Sequence, residues 1–236
     1  MKNKVKLAAG CAFFLLSVFL LIGCRITPEP RIMQRDHNPW VTGKEKVVGI
    51  VKLSADKELK LPAGFLQQVE ADLINYLPTQ GYSRVVAAEH YAQIAQQIIP
   101  GNTRLYDAVT GRFNHALQQQ LDNSVIAEYR QKYQADVLLS LHFAKAIAEY
   151  SGDKARWDGM EDKTALPANF LLDSRKGTMP AISVHIDVHN LLTGERYNRV
   201  QGVQVILNWN AAYHIHADDV PIHLKNLRIG IRQMTY

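Results

Sequence analysis

The N-terminal segment constrains this chain more than any other feature, because it takes both cysteines out of the folded domain. Three lysines within the first six residues precede an uncharged apolar run, residues 7–22. A positive segment followed by such a run is typical of an export signal. Cys11 lies inside the run and Cys24 stands at its end. We therefore expect a globular core that is held together without a disulfide, and a domain without a cysteine nucleophile or metal ligand.

The end of the run, Leu21-Ile22-Gly23-Cys24, resembles the lipobox of bacterial lipoproteins. In that family the thiol receives a diacylglycerol thioether, the signal peptide is removed, and the new amino group is acylated, as by palmitate. The resemblance implies a signal peptide over residues 1–23 and a lipid anchor on Cys24, with no other cofactor. Two or three acyl chains make such an attachment to the lipid bilayer stable.

The residue after Cys24 is Arg25. By similarity to Gram-negative lipoproteins, this implies transfer to the periplasmic side of the outer membrane, with inner-membrane anchoring as the alternative. Two other interpretations of the N-terminus stay open. As a helix, residues 7–24 would be about 27 Å long, nearly enough to cross a bilayer as an uncleaved anchor. A plain secretory signal is the third interpretation.

Removing the signal changes the charge of the protein. The full chain of 236 residues has 27 Lys+Arg, 22 Asp+Glu and a net charge of +5. Without the three N-terminal lysines the net charge falls to about +2, which makes a nucleic-acid partner a poor expectation. Residues 24–44 contain three prolines and no periodicity, so we predict a flexible tether there. Residues 45–236 are of a length typical of a single domain.

Hydrophobic periodicity predicts the elements of that domain. β-branched or alternating runs predict strands, and apolar residues at helical spacing predict helices. The predicted strands are 47–53, 82–86, 137–150, 181–191 and 197–209, and the predicted helices are 62–77, 89–99, 125–133 and 218–234. Residues 101–122 resist assignment, and residues 151–180 are predicted to be a long loop. The order predicts an α/β (α+β) fold, a mixed β-sheet with helices packed mainly on one face.

Several strings resemble the periplasmic lipoproteins of the CsgG and LpoB group, whose domain is likened to the N-terminal domain of TolB. Residues 77–86 (LPTQGYSRVV) match a helix end followed by a short strand, residues 133–139 (YQADVLL) a helix running into a strand, and residues 192–195 (LTGE) the last hairpin turn. The resemblance covers roughly residues 45–210. It implies this fold and a periplasmic address, without naming a partner.

The most suggestive side chains are His185, Asp187 and His189. Alternate residues of a strand share one face, and two imidazoles with a carboxylate are suitable zinc or iron ligands. His142 could join them from a neighbouring strand, and so could His214 and His216 with Asp218. The alternatives are the solvated face of a one-sided sheet and a pH-sensing histidine patch. Consecutive residues on the same face of a strand lie about 7 Å apart. His185 and His189 are two such steps apart, which is too far for them to share one metal easily.

Trp157 stands in the predicted long loop, where it is either an anchor for a protein partner or a lid over the core. The chain lacks the Gly-x-Ser-x-Gly, phosphate-loop and His-Glu-x-x-His motifs. A glycosidase-type carboxylate pair is set by the fold rather than by sequence spacing, so the sequence leaves an enzyme acting on peptidoglycan open.

The sequence thus favours a lipid-anchored, non-catalytic binding or assembly module for an envelope protein complex, such as a cell-wall synthase or a secretion machinery. Two alternatives remain open. One is a periplasmic metal-binding protein or enzyme that uses the histidine face, and the other is a homo-oligomeric structural component. The partner itself and the roles of residues 101–122 and 151–180 are not determined by the sequence.

Overall fold

The computed structural model describes residues 31–32, 46–99, 103, 105–107, 110–163, 176–206 and 213–234. Its strands are β1 (Arg31–Ile32), β2 (Val47–Ala55), β3 (Arg84–Val86), β4 (Val137–Ser151), β5 (Lys154–Trp157), β6 (Met160–Lys163), β7 (Lys176–Asn190) and β8 (Arg196–Val205). Its α-helices are α1 (Phe65–Tyr76), α2 (Ala88–Ile98), α3 (His115–Tyr133) and α4 (Val220–Met234). The mixed α/β class predicted from the sequence is confirmed.

The strands form one mixed sheet around the long antiparallel pair β4 and β7, which stay in register from Val137↔Asn190 to Ser151↔Lys176. β2 runs parallel to the first half of β4 and to β3, and β8 pairs antiparallel with β7. Beyond the end of β2, the same edge of β4 pairs with β5, followed by β6 and β1. We call this second part, with the outer halves of β4 and β7, the sheet extension.

The helices cover both faces of the sheet, which corrects the expectation that they pack mainly on one. α1 and α4 share the main core with Val48 and Ile50 of β2. α2 and α3 pack on the other face, against Val47, Val51 and Leu138. The physical reason is that β2 and the start of β4 are apolar on both faces, and a strand with two apolar faces needs a layer on each side.

α3 begins ten residues earlier than the sequence predicted, at His115 rather than at residue 125. Asn114 caps it, because its Oδ1 accepts a hydrogen bond from the amide of Leu117 at 3.0 Å. The first half of the helix has few apolar side chains, so it gives no periodic signal. Its glutamines are nevertheless good helix formers.

The predicted loop over 151–180 contains a β-hairpin, which is a second correction. β5 and β6 are joined by Asp158 and Gly159, with φ of 39° and 75°. Positive φ at both central residues is the backbone of a tight hairpin turn, for which Asp-Gly is a preferred pair. Residues 164–175 lie outside the described part. The predicted tether contributes β1, which pairs antiparallel with β6 through Arg31↔Glu161 and Ile32↔Met160.

Two close contacts hold the helices in place, one between two helices and one between a helix and the sheet. On one face Arg228 of α4 forms an ion pair with Asp72 of α1, with Nε donating to Oδ2 at 2.8 Å. On the other face the ring of Tyr129 lies directly over Gly49 of β2. Tyr129 is fully buried and has the rings of Tyr91 and Tyr133 at 5.2 Å and 5.1 Å. A glycine at position 49 is therefore what lets α3 approach the sheet.

Replacing Gly49 by alanine is expected to destabilise the protein by about 2 kcal/mol. The new Cβ would lie 2.5 Å from Cε1 of Tyr129, and the neighbouring rings leave Tyr129 little room to move. The urea midpoint of the purified protein measures the effect. In a Tyr129→Leu background the same substitution should cost much less, and an equal cost in both backgrounds would contradict this account.

Candidate functional site

The structure places His185, Asp187 and His189 on one face of β7, as the alternation predicted. The two histidines are partly exposed and Asp187 is exposed, whereas Ile186 and Val188 point into the main core. On this side of the sheet, the three residues lie between the region covered by α2 and α3 and the region covered by the β5–β6 hairpin. It therefore forms a polar strip in the middle of the sheet, which we call the histidine face.

The three side chains have different neighbours. His185 faces His142 of β4, with the ring centroids 6.2 Å apart. Asp187 accepts a hydrogen bond from the side-chain amide of Asn198 on β8. His189 lies opposite Arg196, and its pKa is lowered first by burial and then by the charge of Arg196.

No group of three His, Cys, Asp or Glu side chains with the geometry of a metal site occurs among the described residues. His214 and His216 lie in the segment before α4, with their ring centroids 4.3 Å apart and their planes tilted by 36°. Their segment is tied by an isolated bridge to Lys60, five residues beyond the end of β2, and the two rings neighbour each other. The set of ligands suggested by the sequence is thus divided between two places.

The structure instead joins His142 to two residues that the sequence did not single out as site residues. Nδ1 of His142 lies 3.0 Å from Oγ of Ser54, and Nε2 lies 3.1 Å from Oδ1 of Asp56. The second oxygen of Asp56 accepts a hydrogen bond from the amide of Lys145 at 2.9 Å. That amide, followed by His142, lowers the pKa of Asp56 despite the opposing effect of burial. Ser54 and His142 are register partners on parallel strands, a relation that sequence spacing does not show.

Serine, histidine and aspartate in a hydrogen-bonded chain are also the residue types of a hydrolase triad. Here, however, the two nitrogens of the His142 ring have exchanged partners. In the triad, Nε2 faces the nucleophilic hydroxyl and Nδ1–H is held by the carboxylate. In this protein Nδ1 faces Ser54 and Nε2 faces Asp56. The chain connects the end of β2 to β4, and Asp56 also donates its own amide to the carbonyl of Phe143. This geometry suits a brace between two strands.

Trp157 is the last residue of β5 and is only 6 % exposed. Its indole N–H donates to the carbonyl of Ile182 at 3.2 Å, and the ring packs over Gly202 together with Met160. Asp158 fixes the same hairpin by accepting a hydrogen bond from the hydroxyl of Ser183. With so little of the ring exposed, Trp157 has the position of a lid over the small apolar core of the sheet extension.

A further concave site lies at the outer end of the sheet extension, and sequence reasoning missed it. The cavity has a volume of about 720 Å³. It is lined by Glu149, Tyr150, Ser151, Lys154, Arg156, Lys176, Gly177 and Thr178. The basic residues among them come from β5 and β7, at positions that the sequence analysis had assigned to a loop. Only the strand register brings them together.

Cys24, the lipidation site predicted from the sequence, lies outside the described residues, as does the predicted signal peptide, residues 1–23. Among the helices of the described part, none combines the length and the apolar character needed to cross a membrane.

Comparisons with known proteins give no family for this chain. No protein family profile matches it, and no curated protein matches it. Among solved structures, a lipoprotein from Neisseria meningitidis is similar with 11% identity and a TM-score of 0.37, over 79% of this chain and 98% of that one. A putative neuraminyllactose-binding hemagglutinin homolog from Helicobacter pylori is similar with 12% identity and a TM-score of 0.30, over 81% and 83%. Scores this low establish neither a common fold nor a common function, so the resemblance to the CsgG and LpoB group stays a prediction.

Replacing Asp56 by alanine is expected to lower the free energy of unfolding by about 1 to 2 kcal/mol at neutral pH, because two hydrogen bonds to a carboxylate are lost. The side chain is 29% exposed, which keeps the value at the lower end. Glu58→Ala is the matched control, since the side chain of Glu58 is 65% exposed and forms a long ion pair with Lys145, at 3.8 Å. It should leave stability nearly unchanged.

The pH dependence of the Asp56→Ala effect follows from the lowered pKa. A carboxyl group whose pKa is lower in the folded than in the unfolded protein stabilises the folded state. This contribution is fully present at pH values above the unfolded pKa, here 3.8, and is lost as the pH falls through the folded pKa. The stability difference from the unsubstituted protein should therefore shrink as the pH falls below 3.8. A difference that stays undiminished in acid would contradict the brace.

Proposed function

We propose that this chain is an exported, lipid-anchored protein whose α/β domain acts as a non-catalytic binding or assembly module in an envelope protein complex. The anchor is supported by the lipobox-like end of the apolar run at Cys24. Arg25 supports the outer membrane as its location. A cell-wall synthase or a secretion or assembly machinery is the class of partner proposed.

The observation that carries the binding role is the exposure of the polar groups on the histidine face. Its groups stand on neighbouring strands of an open sheet, with Lys52, Asp187 and Asn198 exposed and His142 and His185 partly exposed. Small-molecule sites are usually concave and enclose most of their ligand. A strip of exposed and partly exposed donors and acceptors that spans several strands suits the polar surface of a macromolecule instead.

The alternative roles find less support. A hydrolase of the Ser-His-Asp type is disfavoured by the reversed ring of His142, and a metal-binding role by the separate neighbours of His185, Asp187 and His189. A homo-oligomeric component rests on the sequence resemblance alone. The binding module is therefore the function we carry forward.

Replacing Cys24 by serine tests the anchor. Without a thiol no thioether forms, and we expect the protein to leave the membrane fraction or to accumulate with its signal uncut. Fractionation and the intact mass of the product measure this, and Cys11→Ser is the matched control that should change neither. A Cys24→Ser protein that is processed and still sediments with membranes would contradict the lipid anchor.

Site-specific photocrosslinking in intact cells tests the binding role. A photoreactive residue at Asp187 probes the histidine face, and one at the exposed Ser124 on α3 is the matched control. We expect one defined envelope protein to be captured from position 187 and much less of it from position 124. The purified partner should then bind the purified protein, and Asp187→Arg should weaken that binding. Equal capture from both positions would contradict a specific interface.

A further inference from the structure

The end of the sheet extension carries a row of lysines. Lys176 of β7, Ser151 of β4, Lys154 of β5 and Lys163 of β6 are register partners in that order. Adjacent strands lie about 4.8 Å apart, so Lys154 and Lys163 are immediate neighbours. All four side chains are exposed. Like charges in directly opposite positions destabilise a sheet, so sheet stability does not account for this row.

The next row on the same face reduces this charge only in part. Glu161 forms ion pairs with Arg156 at 2.9 Å and with Lys154 at 3.2 Å, and these two cations lower its pKa. Across both rows, four cations share the face with two carboxylates, Glu149 and Glu161. Asp153 stands at the rim, in the β4–β5 turn, and Asp162 belongs to the opposite face by alternation. We call this exposed basic face, with its 720 Å³ cavity, the tip face.

The direction of β1 brings the N-terminus to the same end of the molecule. Arg31 pairs with Glu161 and Ile32 with Met160, so the chain enters the sheet from the side of Lys163 and runs inward. Cys24 precedes Arg31 by seven residues. Even fully extended, seven residues span at most about 25 Å. A lipid on Cys24 therefore keeps Arg31 within about 25 Å of the membrane, and the strand ends that carry the lysine row lie on the same side of the molecule.

We propose that the tip face lies against the anionic phospholipid headgroups of the membrane that holds the lipid on Cys24. The inference rests on the proposed anchor and adds the orientation of the domain. Each basic residue close to an anionic bilayer surface favours the membrane-bound orientation by about fivefold. The exposed hydroxyls of Ser151 and Thr178 add hydrogen-bond donors for phosphate oxygens. In this orientation the histidine face remains available to a protein partner.

Quenching by headgroup-labelled lipid tests the proposal on the full, lipidated protein. Single thiols are introduced as Ser151→Cys on the tip face and Ser124→Cys on α3, and each is labelled with a fluorophore. The protein is reconstituted into vesicles of phosphatidylcholine, with or without a third of phosphatidylglycerol. A nitroxide on the headgroup of a tracer lipid quenches fluorophores near the surface. The charge variant is Lys154→Gln with Lys163→Gln and Lys176→Gln. Its thermal midpoint should change little, because the loss of the exposed Lys154–Glu161 ion pair is offset by the removal of like-charge repulsion.

We expect position 151 to be quenched more strongly than position 124 in the anionic vesicles. The charge variant, or phosphatidylcholine alone, should reduce the quenching at position 151 to the control level. Equal quenching in both lipid mixtures, or no effect of the charge variant, overturns the proposal.

The anchor and the tip face fail in different ways. A mature protein whose mass lacks the diacylglycerol, and which does not float with the vesicles, overturns the proposed anchor and this inference together. A lipidated protein that floats but shows equal quenching at positions 151 and 124 overturns only the tip face.

Discussion

The antiparallel ladder between β4 and β7 is the interaction on which the rest of the structure depends. Each strand has fifteen residues, and the pairing continues without a break from Val137 to Ser151. The helices cover only part of a ladder of this length. Its two halves therefore pack against different elements. The first half carries β2, β3 and the helices, and the second half carries β5, β6 and β1. The histidine face and the tip face both follow from this division.

Each of the two surfaces is a consequence of strand pairing rather than of a local motif. The histidine face exists because β2, β4, β7 and β8 align Ser54, His142 and His185 across the sheet. The tip face exists because four strands end together and place lysines side by side. One surface is mixed in charge and the other is basic. A domain with two such surfaces can lie against a membrane and still present a separate face to a protein.

The long strands of the central sheet were predictable from the sequence. Alternation in β7 identified both its buried residues and the polar residues that share a face, and the structure agrees with that assignment. α3 was predicted only where its apolar residues begin, because a solvent-facing turn of a helix needs no hydrophobic period. The β5–β6 hairpin was missed although Asp158-Gly159 is a strong turn pair. Its strands are only four residues long and are rich in charge, so the alternation signal is weak.

The candidate site was predictable only in part, for a related physical reason. Sequence spacing shows which residues share the face of one strand, and it correctly grouped His185 with Asp187 and His189. It carries no information on cross-strand register, so it missed Ser54 and Asp56 beside His142. The same limit hid the lysine row, whose members are up to twenty-five residues apart in the chain.

The sequence by itself determined the order of the main elements, the apolar N-terminal run and the absence of any cysteine after Cys24. These are properties of local pattern and composition, which do not require a partner element. Only the tertiary structure decided which helices lie on which face, that Trp157 is covered, and that the chain enters the sheet beside the tip face. Those depend on contacts between residues distant in sequence, and their energies are set by packing and register.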